Sequence, residues 1–147
     1  MEKKNIELLA PAGSWEALEA AVNAGADAVY IAGPAFGARQ AAGNSMEDLE
    51  QLCAYAHRFG ARIFMTLNTI IYDDELQEAY SLMCRAEDAG VDAIIVQDLA
   101  ILKMADGGPD GNGRRIRIPL HASTQCAIRI ADKALFYKGL GFSRLVL

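Results

Sequence analysis

The chain has 147 residues, 52% of them hydrophobic and 22% charged, enough to bury one core and too apolar for wholesale disorder. Its formal net charge of −5 lacks the broad Lys/Arg excess on which non-specific nucleic-acid binding rests, though a locally basic mouth stays open. No apolar run approaches the roughly 20 residues of a membrane span, and no apolar core follows the charged start Met1–Asn5, so a cytoplasmic protein with no membrane partner is expected.

In chain order, a first strand over 6–10 ("IELLA") runs into "APAGS", where Pro11 and Gly13 make a tight turn and Ser14 precedes the helix "WEALEAAVNA". A strand over 28–32 is followed by the glycine-rich "GPAFGARQAAGN", which carries Phe36, Arg39 and Asn44. Ser45 with Asp48 resembles a capping box before "LEQLCAYAHR". The third strand, 62–68, ends in Thr66, Asn68 and Thr69. Asp73, Asp74 and Glu75 then open the helix "LQEAYSLMCRAEDA", placing acids where the helix dipole favours them. A fourth strand, 93–98, ends in Gln97 and Asp98 and leads to a short helix. The segment "DGGPDGNGRR" (106–115) reads as a solvated loop with Arg114 and Arg115 as its exposed charges. A fifth strand, 116–121, hands over to His121, Ser123, Thr124 and Gln125 where a helix is expected to begin. The last strand covers 143–147.

A unit repeats along this path. "NAGADAVYIAG" (23–33) and "DAGVDAIIVQD" (88–98) each join a helix end, a glycine, a short acidic turn and a buried β-branched run. "RFGARIFMTLN" (58–68) and "GLGFSRLVL" (139–147) repeat it more loosely. Gly25, Gly60, Gly90 and Gly141 stand where a helix end wants a left-handed residue. The apolar runs that follow suit strands covered on both faces. Strict alternation of such strands with helices predicts an α/β architecture with a parallel sheet.

In parallel α/β folds, chemistry gathers at the carboxyl ends of the strands. Here those ends carry Asn68, Gln97, Asp98, His121, Ser123, Thr124 and Gln125, while the strand bodies are nearly free of polar residues. His121 is the candidate catalytic residue, expected to share a cavity with Asn68 and Gln97. Asn44, Asn68, Gln97, Asp98, Ser123 and Gln125 are candidate substrate contacts, and Arg39 is the cation that could pair an anionic group. Helix capping is the simpler role for Ser123 or Thr124, and for Asp98. No Ser–His–Asp set, HExxH or Walker motif is present. A Schiff-base lyase is disfavoured, because no lysine stands at a strand end. Cys53, Cys84 and Cys126 are scattered with no CxxC, which fits reduced thiols rather than a disulfide framework or a zinc site. Of the three, Cys126 is the one placed to line a site.

"ELLAPAGSWEALEAAVNAGADAVYIAGPAFGAR", "AHRFGARIFMTLNTIIYDDEL", "GVDAIIVQDLAIL" and "LHASTQCAIR" together resemble peptidase family U32, most closely its ribosomal-RNA 5-hydroxycytidine synthase branch. The resemblance implies a TIM-like (β/α) barrel, here a partial one. About six of eight strands would be present, in one domain (1–147) at the N-terminus of a longer protein. It further implies an RNA-base hydroxylase with an RNA substrate, a possible small organic co-substrate and an iron–sulfur cluster. The cluster's cysteines would lie beyond the sixth strand, so no cofactor and no metal ligand is assigned to this segment. The alternatives are a collagenase-like peptidase, the family's older label, and a non-catalytic binding module. Six strands cannot close an eight-stranded barrel, so "IELLA" and "SRLVL" should leave open edges, and the isolated segment is expected to self-associate.

Overall fold

The structure is a computed structural model that describes residues 6–37 and 46–147. Among the described residues six strands alternate with five α-helices: β1 Leu9–Ala12, α1 Trp15–Asn23, β2 Ala28–Ala32, α2 Met46–Arg58, β3 Arg62–Leu67, α3 Leu76–Asp88, β4 Ala93–Val96, α4 Ala100–Ala105, β5 Leu120–Ala122, α5 Ala131–Gly139 and β6 Arg144–Leu145. The strands form one sheet in chain order, every neighbouring pair parallel. The result is a half-barrel with helices on its convex side.

Alternation along the strands divides the core in two. Val29, Ile31, Ile63, Met65, Leu67, Ile94 and Val96 face outward and pack against the helices. From α3, Ala79, Leu82, Met83 and Ala86 bury one stripe at helical spacing. The alternate residues Ala28, Phe64, Ala93 and Ile95, with Leu9 and Tyr30 beside them, fill the concave interior. No helix among the described residues is long and apolar enough to cross a membrane.

The repeated turn has a structural purpose at the amino ends of the strands. Gly25, Gly60, Gly90 and Gly141 all adopt positive φ, which lets each helix end fold straight back into a strand. The residue two positions later then joins its strand to the preceding one. The amides of Asp27, Arg62, Asp92 and Ser143 donate to the carbonyls of Leu8, Asp27, Ile63 and Leu120. The two acids among them add a second bond: Asp27 Oδ2 accepts from Leu8 N at 2.7 Å, and Asp92 Oδ2 accepts from Ile63 N at 2.7 Å.

Several boundaries differ from the sequence expectation. β1 begins at Leu9 rather than residue 6 and includes Pro11. Proline is tolerated there because β1 is an edge strand and can spare a donor. β5 is confined to Leu120–Ala122. Ile116 and Ile118 are buried ahead of it, but Pro119 has no N–H to enter the ladder and contributes only its carbonyl, to Ile94 N. After β5 no α-helix starts at once. A 3-10 turn, Thr124–Cys126, ends at Ala127 in the left-handed region, and α5 begins only at Ala131. Ser14 caps α1 as expected, accepting from Ala17 N. Ser45, of the expected capping box before α2, lies outside the described residues.

Residues 110–115 are exposed, Arg114 and Arg115 among them, as expected of a solvated loop, but the segment is tied down. Arg114 pairs with Asp88 and Glu87 and donates to the Cys84 carbonyl, while the Tyr80 hydroxyl donates to the Arg114 carbonyl. Gly113 is required by this packing, since a Cβ there would sit 2.3 Å from the Tyr80 hydroxyl. Arg115 pairs with Asp106 across an antiparallel bridge.

Candidate functional site

A cavity of about 340 Å³ opens at the carboxyl ends of the strands. Most of its hydrogen-bonding groups come from the ends of β3 and β5, on either side of β4: Thr66, Asn68, Ser123, Thr124 and Gln125. Its apolar surface comes from Leu9, Pro11 and Ala12 on β1, Ala32 on β2, Ile95 on β4 and Val146 just past β6, with Tyr30 between. None of the described lining residues is Lys, Arg, Asp, Glu or His. The site is polar but uncharged.

The turn after β5 builds the polar side. Ser123 is buried, and its hydroxyl accepts from Gln125 N at 3.2 Å and from Asn68 Nδ2 at 3.4 Å. Capping and rim position therefore coincide in one residue. The cap turns the chain so that Thr124 and Gln125, both exposed, stand at the mouth. Across the rim, Thr69 Oγ1 donates to the Phe36 carbonyl at 3.2 Å. Phe36 itself is a buried core residue at φ 58°.

The structure gathers Asn68, Ser123 and Gln125 around the cavity. Gln97 and Asp98 do not line it. Asp98 orders the rim from behind: Oδ2 accepts from Ile71 N at 3.0 Å and Oδ1 from Ala100 N at 2.9 Å. Cys126 is buried away from the cavity, its thiol donating to the carbonyls of Val96 and Gln97. Arg39 and Asn44 lie outside the described residues.

His121 is not a rim residue. It is 6% exposed, lies within β5 two residues before Ser123, and is absent from the cavity lining. Its ring meets Phe64 edge-on at 4.9 Å, and its Nδ1 is buried without a hydrogen bond in the chain. Beneath this pair lies an ionic layer that sequence reasoning missed. Arg62 and Arg144 both donate to the Glu7 carboxylate, and their guanidinium carbons lie 5.6 and 5.3 Å from the Phe64 ring centre. The bond from Arg144 holds the Glu7 carboxyl below its usual range. Burial, reinforced by Arg144 and by Arg62 against Glu7, pushes the His121 imidazole down to about 4. At neutral pH His121 is an uncharged imidazole under a neutral cavity.

Tyr30 and Val146 also escaped sequence reasoning. Tyr30 could have been found from the spacing of Ala28, Tyr30 and Ala32 on one face of β2, small–large–small, which leaves room above a strand.

Residues 13–147 match the family description of peptidase family U32. The chain is 50% identical over 142 residues to the 23S rRNA 5-hydroxycytidine C2501 synthase of Escherichia coli, covering 97% of this chain and 20% of that protein. It is 34% identical to the tRNA hydroxylation protein P1 of Bacillus subtilis, over 98% of this chain and 33% of that protein. A collagenase of Porphyromonas gingivalis is 35% identical over 93% of this chain and 32% of its own length. The chain thus spans between about a fifth and a third of these relatives. Among solved structures, a U32 peptidase superposes with a TM-score of 0.70 at 16% identity, covering 99% of this chain and 60% of that one. At that identity the likeness speaks for the fold alone. The match across residues 13–147, the curated relatives and the half-barrel agree: the chain belongs to peptidase family U32.

Proposed function

We propose that this chain forms the N-terminal part of the barrel of a cytoplasmic RNA-base hydroxylase, with pyrimidines of ribosomal RNA as its substrate. The observation that carries the reading is the 50% identity to the ribosomal-RNA synthase across 97% of the chain. Asn68, Ser123 and Gln125 contact the substrate, and Arg39 holds an anionic group such as a phosphate of the RNA strand. His121, uncharged and absent from the lining, is a positioning residue that supports the interior beneath the cavity through its packing on Phe64.

An iron–sulfur cluster would supply the redox chemistry in this reading. The described residues do not fit one. Among the described residues no three of His, Cys, Asp and Glu group to hold a metal ion. Cys53 is buried with its thiol pushed up to about 12, and Cys126 spends its thiol on two carbonyls. In this reading the cluster's ligands belong to sequence outside these residues.

The peptidase reading has less support. Among the described residues lining the cavity, no Ser or Cys is paired with a base: Ser123 accepts from an amide and a side-chain amide, and His121 is absent from the lining.

The test is mass spectrometry of RNA nucleosides from cells lacking the gene, complemented with variants. Deletion should remove a hydroxylated pyrimidine. Gln125→Ala and Arg39→Ala should lower its restoration about five- to tenfold, as expected for one lost polar contact. Because His121 is packed on Phe64, His121→Gln is the appropriate change there, and alanine would confound packing with chemistry. Unchanged RNA after deletion, or peptide turnover by the purified protein that Gln125→Ala abolishes, would overturn the reading.

A further inference from the structure

We infer that the cavity receives a single pyrimidine base extruded from its strand, its hydrogen-bonding edge turned toward Asn68 and Gln125 and its ring against Tyr30, while the phosphates stay outside. The inference rests on the proposed RNA-base reading and adds how the base is held.

Three observations carry it. First, the volume of about 340 Å³ lies at the small end of ligand pockets, which run to ~1,000 Å³. It suits one ring system and no run of nucleotides. Second, the lining is segregated. Thr66, Asn68, Ser123 and Gln125 come from the ends of β3 and β5, with only Ile95 of β4 and Val146 past β6 as apolar neighbours, while β1 and β2 contribute Leu9, Pro11, Ala12 and Ala32. A planar heterocycle with a polar edge and apolar faces matches that division, and two carboxamides can offer both a donor and an acceptor to that edge. Third, the described lining holds no ionised side chain. A buried phosphate or carboxylate there would meet no countercharge, which costs far more than burying a neutral ring. Enzymes that act on a base take it out of the stack and read its edge in such a pocket. Gln125 is a specificity residue in this arrangement. It stands at the mouth on the turn that Ser123 caps, so its amide reaches the base without carrying the fold.

The test uses the full chain, labelled with ¹⁵N, and three probes: cytidine, adenosine and benzoate, the last an anionic ring. Cytidine should shift the amides of Tyr30, Ser123, Gln125 and Val146. Saturation transferred from the protein should reach the base protons more strongly than the ribose. Gln125→Ala should weaken cytidine binding about fivefold, the effect of one lost hydrogen bond. Adenosine, a two-ring base, and benzoate should each bind more weakly than cytidine. Because Gln125 is exposed, the variant spectrum checks its own fold. Three results would each overturn the inference: no cytidine binding at tens of millimolar, shifts confined to other surfaces, or benzoate binding as tightly as cytidine. Failures of the two readings are separable. Hydroxylated RNA together with cytidine shifts elsewhere removes the cavity assignment and leaves the activity. Cytidine seated in the cavity with unchanged cellular RNA does the reverse.

Discussion

His121 shows how a residue can be singled out for one reason and be interesting for another. A histidine at a strand end suggests a rim group, yet its ring is buried on Phe64 above Glu7, Arg62 and Arg144. The physical consequence is a linkage between protonation and folding. Its folded value is about 4 against 6.5 for an unperturbed imidazole. Between those two pH values the unfolded chain binds a proton at this position and the folded chain does not, so stability rises with pH across the window and falls on acidification. Taking the chain from pH 7 to pH 5 should therefore cost about 2 kcal/mol through this residue. His121→Phe, which keeps a ring against Phe64 and cannot titrate, should lose that much less over the same interval. Urea melts of both proteins at the two pH values check it, and equal losses would show that His121 titrates normally. Glu7 does not blur the comparison, because its carboxyl is held below 4.5 and its contribution is lost only as pH falls further. That ionic layer was invisible in the sequence. Glu7 and Arg144 are 137 positions apart, and nothing local marks them as partners.

At the level of elements, the repeated glycine–acid turn was legible as a rhythm but not as a device. The glycines announced where helices end, and the strands follow them closely at β2, β3 and β4. What the acids do appears only when neighbouring strands are placed side by side. Asp92 is the strongest instance: Oδ2 accepts from Ile63 N at the start of β3 and from His57 Nε2 at the end of α2, the latter at 2.8 Å. Asp92→Ala should cost about 1–3 kcal/mol, because it strands a half-buried amide. His57→Ala should cost less, about 0–1 kcal/mol, since that pair is substantially exposed. Asp27→Ala should fall between or below, as its Leu8 partner is exposed. Urea midpoints of the three variants test the order, and a His57→Ala loss larger than that of Asp92→Ala would contradict it. The elements misplaced by sequence reasoning fail for a common reason. "IELLA" and "RIRIPL" carry strand-like apolar patterns, but ladder pairing is set by neighbours and by where proline removes a donor. Pairing therefore begins at Leu9 and Leu120. Likewise "HASTQ" marked a polar turn at a strand end, and the structure makes it the polar side of the cavity. The left-handed Ala127 that delays α5 has no signal in its residue type.

For the whole molecule, the decisive feature is that a sheet ordered β1 to β6 has two edges. β1 and β6 each pair on one side only, and apolar side chains flank both: Ile6 is 91% exposed and Leu147 85% exposed. The side of α5 adds Leu135 and Phe136, 64% and 56% exposed. Arg144 reaching Glu7 ties the lead-in of the first strand to the sixth at the amino end, so both edges are held on one frame rather than splayed apart. An open parallel sheet with apolar edges is a template for further strand pairing, and a net charge of −5 supplies only modest repulsion between copies. We therefore propose that the isolated chain self-associates through β1 or β6. Sedimentation velocity at rising concentration should show a dimer or larger species in exchange with monomer. Ile6→Lys and Leu147→Lys should each raise the dissociation constant about tenfold, since burying such a side chain is worth ~1.5–3 kcal/mol and a lysine at an edge opposes pairing. Leu135→Lys on α5 should leave the constant unchanged if the strands are the interface. If Leu135→Lys disrupts assembly while the edge variants do not, the helical face and not the open sheet is what the molecule covers. A monomer that persists to millimolar concentration would mean that the Glu7–Arg144 tie and the chain ends already shield the edges.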